Sequence, residues 1–505
     1  MAVAGSLTIA SAAERTLRLA PTLPDLFFAL LLVAQFGRID KWQALLGDGD
    51  TGWHIRTGEY ILAHGVPARD PFSFSRAGQP WYAWEWLSDV IFARIHGWFG
   101  LPGLAVLGAV LVCLSAALLF AWLLRRGAGA WVALPVTLAA TSAASVHNLA
   151  RPHLFSLVLL VAGLWLLDED RRVCTPWLWT LVPVTGLWAN LHGGFAAWLG
   201  ILVFLAAVSA AERNGAASRR YGLLAGLSAT ATLINPYRWQ LHRHILEYLG
   251  SRWIADHVLE FQSPQIRSEN MLVFALLLLA GMAVAAKVCR RSQWFEPGLV
   301  AIFGFAALRS ARYVPLFAMV SAPLLASYAA RTWEESALRA KARGAWRVLW
   351  ESSQSLGAGW RLTAWMPILG GLALLAVFPA NGLSDFPARA FPVTAVAQNA
   401  GLLASPARIL TSDQWGDYLI YRLYPRTRVF FDGRSDFYGE AIGNDYRVLM
   451  LADRTSGEVM ARYGFTAALL PLDWPLGQLL ERDPVWRVAY RDGQAVLLVA
   501  AGGSK

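Results

Sequence analysis

The segment Leu46-Gly47-Asp48-Gly49-Asp50-Thr51-Gly52-Trp53-His54-Ile55 sets two carboxylates one residue apart, with a histidine four residues further on. Carboxylates so spaced can hold a divalent cation, or one of them can take a proton from a hydroxyl. Asp50 opens a stretch of near-helical periodicity, so Asp50 and His54 are expected on one helix face. Asp50 is the preferred candidate for base or cation ligand, with Asp48 and His54 beside it as further catalytic candidates. The alternative is that Asp48-Gly49-Asp50 is only a turn and helix cap.

Other polar residues stand where apolar runs end. Arg151-Pro152-His153 opens an apolar run, and a guanidinium there suits an anionic head group, whose oxygens it grips bidentately. Arg309 and Arg312 offer the same chemistry at another such end, and interfacial snorkelling would also account for all three arginines. Asn190 and His192, followed by Gly193-Gly194, sit at a tight junction between two runs, where a ligand can approach closely or a helix can simply stop. Glu260 could complete a metal or acceptor site, and Glu85 and Asp70 are weaker candidates. Asp432-Gly433-Arg434-Ser435-Asp436 follows a predicted strand, where α/β folds place binding residues. Asp432 and Arg434 are either substrate contacts or an internal ion pair fixing the loop.

The elements that must position these residues are mostly membrane helices. The 505-residue chain is 56% hydrophobic and only 15% charged, against the quarter usual for soluble domains. Eleven crossings are predicted, at 22–39, 101–124, 131–147, 152–168, 176–191, 194–211, 221–235, 270–288, 295–309, 312–330 and 362–380. With the N-terminus inside, the basic clusters Arg125-Arg126, Arg171-Arg172, Arg219-Arg220, Arg290-Arg291 and Arg331 to Arg347 all fall on the cytoplasmic side. The formal charge of +10 therefore reads as a topology signal and gives no reason to invoke nucleic acid. All nine histidines, His54 to His257, map to the outer ends.

The first outer loop, 40–100, holds two Trp-rich amphipathic stretches, 50–64 and 84–99, of the kind that lie in a membrane interface. Residues 383–505 read as a soluble extracytoplasmic α/β domain following a transmembrane domain over 1–382. Its strands are predicted at 408–410, 429–432 and 467–470, with a closing hairpin over 486–500 turned by Asp492-Gly493. Three cysteines, Cys113, Cys174 and Cys289, imply no disulfide framework.

The acidic segment at Asp48 and Asp50 resembles the acidic motif in the first outer loop of the GT-C superfamily of integral-membrane glycosyltransferases. The order of Asp70 to Ser73, Glu85 to Leu87, Arg151 to Ser156, Trp188 to Phe195, Asn235 to Tyr237 and Phe431 to Gly439 resembles a bacterial membrane family of the same type over nearly the full chain. The resemblance implies an inner-membrane enzyme that moves a sugar from a polyprenyl-phosphate donor to an exported acceptor. It places the site under the first outer loop, with an acidic residue there as base or metal ligand and Mg or Mn as the optional cation. A non-catalytic protein that binds lipid-linked glycans or assists envelope assembly is the alternative. A transporter fits less well, because the charges cluster at helix ends.

Overall fold

A computed structural model describes residues 20–36, 39–289, 293–341, 344–377, 385–404 and 407–501. Arg290-Arg291 and the boundary placed at 382/383 lie outside the described residues, as do parts of the crossings at 22–39 and 362–380. The membrane part begins with α1 (Leu23–Phe36), α2 (Ile39–Leu45), α3 (Asp50–His64), α4 (Trp86–Arg125), α5 (Ala130–Ala144) and α6 (His153–Val173). It continues through α7 (Leu181–Leu191), α8 (Phe195–Ala211), α9 (Gly215–Ala231), α10 (Trp239–Gly250) and α11 (Arg252–His257). It closes with α12 (Glu269–Cys289), α13 (Phe295–Arg309), α14 (Val314–Arg339), α15 (Ala345–Gly357) and α16 (Trp365–Ala376).

A helix overlaps each of the eleven expected crossings, several with ends shifted by five residues or more. Length and apolarity together single out four of them: Trp86–Arg125, Ala130–His147, Asn270–Cys289 and Ala311–Arg339. Shorter apolar helices cover Leu23–Phe36, Phe195–Ala211 and Trp365–Ala376. Leu30 and Val33 on α1, Leu272, Leu276 and Leu279 on α12, and Ile302 and Phe305 on α13 are exposed. Such rows of bare apolar side chains suit lipid rather than water, so the chain is a multi-pass membrane protein. Three of the basic clusters meet at one end of the bundle. Arg126 pairs with Glu296 at 2.7 Å and lies 3.8 Å from Asp168, Arg171 lies 3.9 Å from Glu296, and Arg220 pairs with Asp170 at 2.6 Å.

The first outer loop is more deeply integrated than its amphipathic pattern suggests. Instead of floating in an interface, α3 is buried over most of its length. Its 3.6-residue pattern is used against protein on two sides, with α4 on one and the C-terminal domain on the other. Gly58 allows the α4 crossing, since a Cβ there would overlap the Asp89 carbonyl. The second amphipathic stretch and the 101–124 crossing form one long helix, α4, broken at Gly100 (φ 62°) ahead of Pro102.

The C-terminal domain contains α17 (Val393–Gln398), β1 (Ile409–Leu410), α18 (Asp413–Leu423), α19 (Ser435–Met450), α20 (Ser456–Tyr463), β2 (Ala467–Pro471), α21 (Pro475–Leu480), β3 (Trp486–Arg491) and β4 (Ala495–Ala500). The sheet order is β1-β2-β4-β3, with β1 parallel to β2 and the other pairs antiparallel. The strand expected at 429–432 is reduced to single bridges from Val429 to Ile409 and to Ser73. The reason is that the first outer loop takes its backbone groups: Val429 N–H donates to Phe72 O at 3.0 Å, and Phe74 N–H to Val429 O at 2.9 Å.

A buried ion triad fastens this junction. Arg434, 2% exposed, bonds Asp432 at 2.6 Å and Asp70 of the outer loop at 2.8 Å, beneath the rings of Phe72, Trp81 and Phe437. Asp70 also accepts the Phe72 and Ser73 backbone N–H groups, so removing it leaves Arg434 on Asp432 alone and these buried donors unmet, at about 1–3 kcal/mol each. Asp70→Ala is expected to lower the Tm of the detergent-solubilised chain by a corresponding margin and to speed proteolytic release of the C-terminal domain. Wild-type proteolysis and Tm would show that the triad does not fasten the junction.

Candidate functional site

Arg151 is the centre of the site. The turn before α6 carries it, pinned where Ala150 N–H donates to Leu45 O (2.7 Å) and Ala150 O accepts from the Thr51 hydroxyl (3.0 Å). Its guanidinium meets three carboxylates from two separate loop segments: Asp50 at 2.6 Å, Asp48 at 3.2 Å and Glu260 at 2.5 Å. Asp48 also accepts the Asp50 backbone N–H at 2.9 Å, so it caps the turn as well as reaching Arg151. The Arg151 charge holds the Glu260 carboxyl well below the usual range. Asp50 moves the other way. Burial pushes it up to about 7 against the pull of Arg151, with Asp48 and Glu260 adding to the rise.

One oxygen of Asp50 is thus committed to Arg151. The other, Oδ1, has no hydrogen-bond partner and faces the C-terminal domain, where a Cβ on Gly433 would overlap it. Asp417 Oδ2, also unbonded, would lie 2.9 Å from that same Cβ. Burial, then the charges of Asp50 and Asp432, raise the Asp417 carboxyl well above its ordinary value.

Beside Arg151 opens a cavity of about 140 Å³. Its polar end carries Glu85, His147, His153, His192, Tyr248 and Arg312 together with Arg151 and Glu260. Its apolar part is walled by Leu157, Leu160, Trp188, Trp198, Leu249 and Leu316. Arg312 bonds the Tyr248 hydroxyl at 3.0 Å and lies over Phe261 at 4.4 Å; among the described residues it has no carboxylate within salt-bridge distance. Arg312 thus stands at the polar end of a largely apolar cavity, with Glu260 as the carboxylate that acts on it from across the same wall.

Glu85 faces the cavity between two histidines, His54 Nε2 at 3.6 Å and His192 Nε2 at 3.5 Å. His54 Nδ1 lies 2.6 Å from Asp89, and Trp53 stacks on its ring at 3.7 Å. Asp50 and His54 therefore start from one helix but serve different partners.

The structure brings Asp48, Asp50, His54, Arg151, His153, His192 and Arg312 into this one neighbourhood. It leaves the other four candidates elsewhere. Asn190 is a pin, donating to Gly186 O and Ile234 O at 2.8 Å and accepting from Trp86 at 2.7 Å. Arg309 is exposed at the end of α13 and does not line the cavity, because the chain turns through Ser310 before Arg312 enters it. Asp432 and Arg434 bond each other and Asp70, the internal-pair reading of their motif. Asp89 and Asp417 are not among the candidates; each stands among other polar residues of an ordinary helix, with no local signal of its destination. For a divalent cation, Asp48, Asp50 and Glu260 are already bonded to Arg151. Among the described residues no group of three or more His, Cys, Asp or Glu is placed to hold a metal. The donor set as it stands does not fit a resident cation.

The sequence matches no protein-family model and no curated protein. Solved structures do resemble it. The archaeal oligosaccharyltransferase AglB from Archaeoglobus fulgidus, in complex with an inhibitory peptide and a dolichol-phosphate, superposes with a TM-score of 0.57 over 91% of this chain and 70% of that one, at 13% identity. The chain has a GT-C fold. The apo form of an Archaeoglobus fulgidus oligosaccharyltransferase gives a TM-score of 0.52 over 89% and 69% of the two chains, at 14% identity. The GT-C likeness spans both the helical body and the small sheet domain, and at this identity it speaks for the fold alone.

Arg151→Gln would leave Asp48, Asp50 and Glu260 facing one another without the guanidinium between them. Destabilisation on the order of 3 kcal/mol is expected at neutral pH. Arg151 depresses Glu260, so that contribution is present above the unfolded carboxylate pKa and lost as pH falls through the folded value. The Tm gap between variant and wild type should therefore narrow on acidification. A gap that widens there would contradict the arrangement.

Proposed function

We propose that this chain is a glycosyltransferase that moves a sugar from a polyprenyl-phosphate-linked donor to an acceptor at the outer face of a bacterial inner membrane. The observation that carries the reading is the cavity with Arg312 and Arg151 at its polar end and an apolar wall leading away. That pairing of charge and grease fits a lipid phosphate, and the AglB neighbour was solved with a dolichol-phosphate. The arginine clusters gathered at the opposite end of the bundle support an outward-facing site under the positive-inside rule.

In this reading Arg312 neutralises the leaving phosphate, Arg151 holds Asp50 in place, and Asp50 takes the acceptor proton. Asp50 is not in the cavity wall. It communicates with the donor through Arg151, which bonds it and lines the cavity. The acceptor enters from the junction with the C-terminal domain, where Asp50 Oδ1 is unbonded. A divalent cation such as Mg or Mn would require Arg151 to withdraw from Asp48, Asp50 and Glu260. One observation favours the second reading, a protein that binds lipid-linked glycan without turning it over: Asp50 is only 6% exposed, and Gly433 covers its free oxygen.

Mass spectrometry of polyprenyl lipids and envelope glycans separates the two. Cells lacking the chain are compared with cells rescued by wild type, Asp50→Asn or Arg312→Gln. A transferase predicts that a sugar-loaded lipid accumulates in the deletion and in both variants, while one glycan loses mass. With the purified chain, Asp50→Asn should lower kcat by about 10²–10⁴-fold. The wild-type rate should rise as pH climbs through about 7, where Asp50 loses its proton. Full rescue by Asp50→Asn would sink the base assignment, and an unchanged lipid profile in the deletion would sink the transferase.

A further inference from the structure

The cavity changes character along the two helices that bring in its arginines. On α6 the lining runs from His153 and Ser156 to Leu157 and Leu160, and after Arg312 it runs from Tyr313 to Leu316. A lipid phosphate held at Arg312 with its tail among those leucines directs the group on its far side to the remaining wall. Trp84, Glu85, His192 and Tyr248 stand there.

Glu85 is 8% exposed, yet its carboxyl makes no hydrogen bond among the described residues. His54 Nε2 at 3.6 Å and His192 Nε2 at 3.5 Å approach it without bonding it, and burial keeps both rings neutral, so neither contact is an ion pair. The neighbouring carboxylates are engaged, Glu260 by Arg151 and Asp436 by His244 at 2.9 Å. A buried carboxyl left unmet is costly, and it lines the cavity, where a ligand can meet it.

Trp84 precedes Glu85 and reaches the same wall because Gly193 makes way: a Cβ there would lie 2.3 Å from the Trp84 six-membered ring. Its ring is tilted 62° to Tyr248 at 5.8 Å, and the Tyr248 hydroxyl bonds Arg312 at 3.0 Å. The indole N–H groups of Trp86, Trp188 and Trp198 are committed to Asn190, Ser156 and Thr185. That of Trp84 has no hydrogen-bond partner among the described residues.

We propose that Trp84 and Glu85 form the sugar subsite of the donor, and that the sugar is neutral, with a C–H face on the indole and two neighbouring hydroxyls on the Glu85 carboxyl. The assignment rests on the lipid-phosphate reading of the cavity and deepens it. Sugar C–H groups carry slight positive charge and favour the negative face of an aromatic ring. A hydroxyl can donate or accept, so the pair suits Glu85 with or without the proton that burial helps it keep. His192 adds a donor beside them: its Nδ1 accepts the Gly194 N–H at 2.9 Å, which leaves its proton on Nε2. A charged sugar fits less well. A uronate would find both arginines engaged, Arg312 by the phosphate and Arg151 by its three carboxylates. An amino sugar would bring a cation to a carboxyl on which Arg151 and Arg312 already act.

The test measures binding by the full chain in lipid nanodiscs. The probes are polyprenyl phosphate, bare or carrying glucose, mannose, galactose, glucuronate or glucosamine. At least one neutral-sugar lipid should bind wild type about 10-fold tighter than bare lipid does. Glu85→Ala and Trp84→Ala should each remove most of that gain while binding bare lipid as wild type does, which also shows that the variants fold. Glu85→Gln, which keeps a donor and an acceptor, and Trp84→Phe, which keeps a ring, should each recover part of it. Loaded lipids that bind no tighter than bare lipid, or a gain that survives both alanine variants, overturn the subsite and leave the lipid-phosphate reading standing. A gain confined to the glucuronate or glucosamine lipid overturns the neutral sugar. A wild-type chain that binds none of these lipids overturns the reading of the cavity, and the subsite with it.

Discussion

Burying a guanidinium is the constraint on which this end of the molecule depends. Arg151 cannot lose its charge, and removing that charge from water costs several kcal/mol unless carboxylates compensate. Asp48, Asp50 and Glu260 provide them, and they lie about a hundred residues from Arg151 on either side in sequence. Neutralising one charge therefore draws together the first outer loop, the turn before α6 and the loop before α12. Three carboxylates around one guanidinium also leave excess negative charge, which acts with burial to lift Asp50. The interaction that closes the site is also what tunes its acid.

How much of this could be read beforehand depended on whether a residue's destination is encoded locally. Helices were legible because apolar runs announce themselves, and four of them are long and apolar enough to cross a membrane. Asp50, Arg151, His192 and Arg312 were legible because charge or imidazole at the end of an apolar run is conspicuous. Asp89 was not, because one aspartate near the start of a helix looks like an ordinary first-turn acid. Nor was Asp417: nothing near it in sequence says that its helix packs on α3. The amphipathic period of α3 was seen correctly and assigned to the wrong neighbour, since a helix wetted by an interface and a helix sandwiched between protein layers can share a 3.6-residue pattern.

The lost strand at 429–432 has a similar origin. Its residues have strand chemistry, and Val429 does pair on both sides. One of those partners is Ser73 of the outer loop, which no reading of a self-contained domain would anticipate. The edge of the C-terminal sheet is thus covered by the membrane body, which disposes of unpaired backbone groups without a further strand. The Arg434 triad beneath it spends its side chains on the same junction, which is why a motif that looked ready for a ligand is filled by protein.

That junction bears on the chemistry as well as on assembly. Gly433 lies against Asp50 because α18 and the 429–434 segment are held on α3, and any side chain at 433 would strike the Asp50 carboxylate. The membrane body alone would leave Asp50 open to water on that side. With the domain seated, Asp50 is dry, its Oδ2 is fixed by Arg151, and the like charge of Asp417 stands close by. A carboxyl of that kind changes protonation near neutral pH and keeps one orientation, the two properties a base needs. The small sheet domain therefore covers Asp50 and adds to the burial that lifts it.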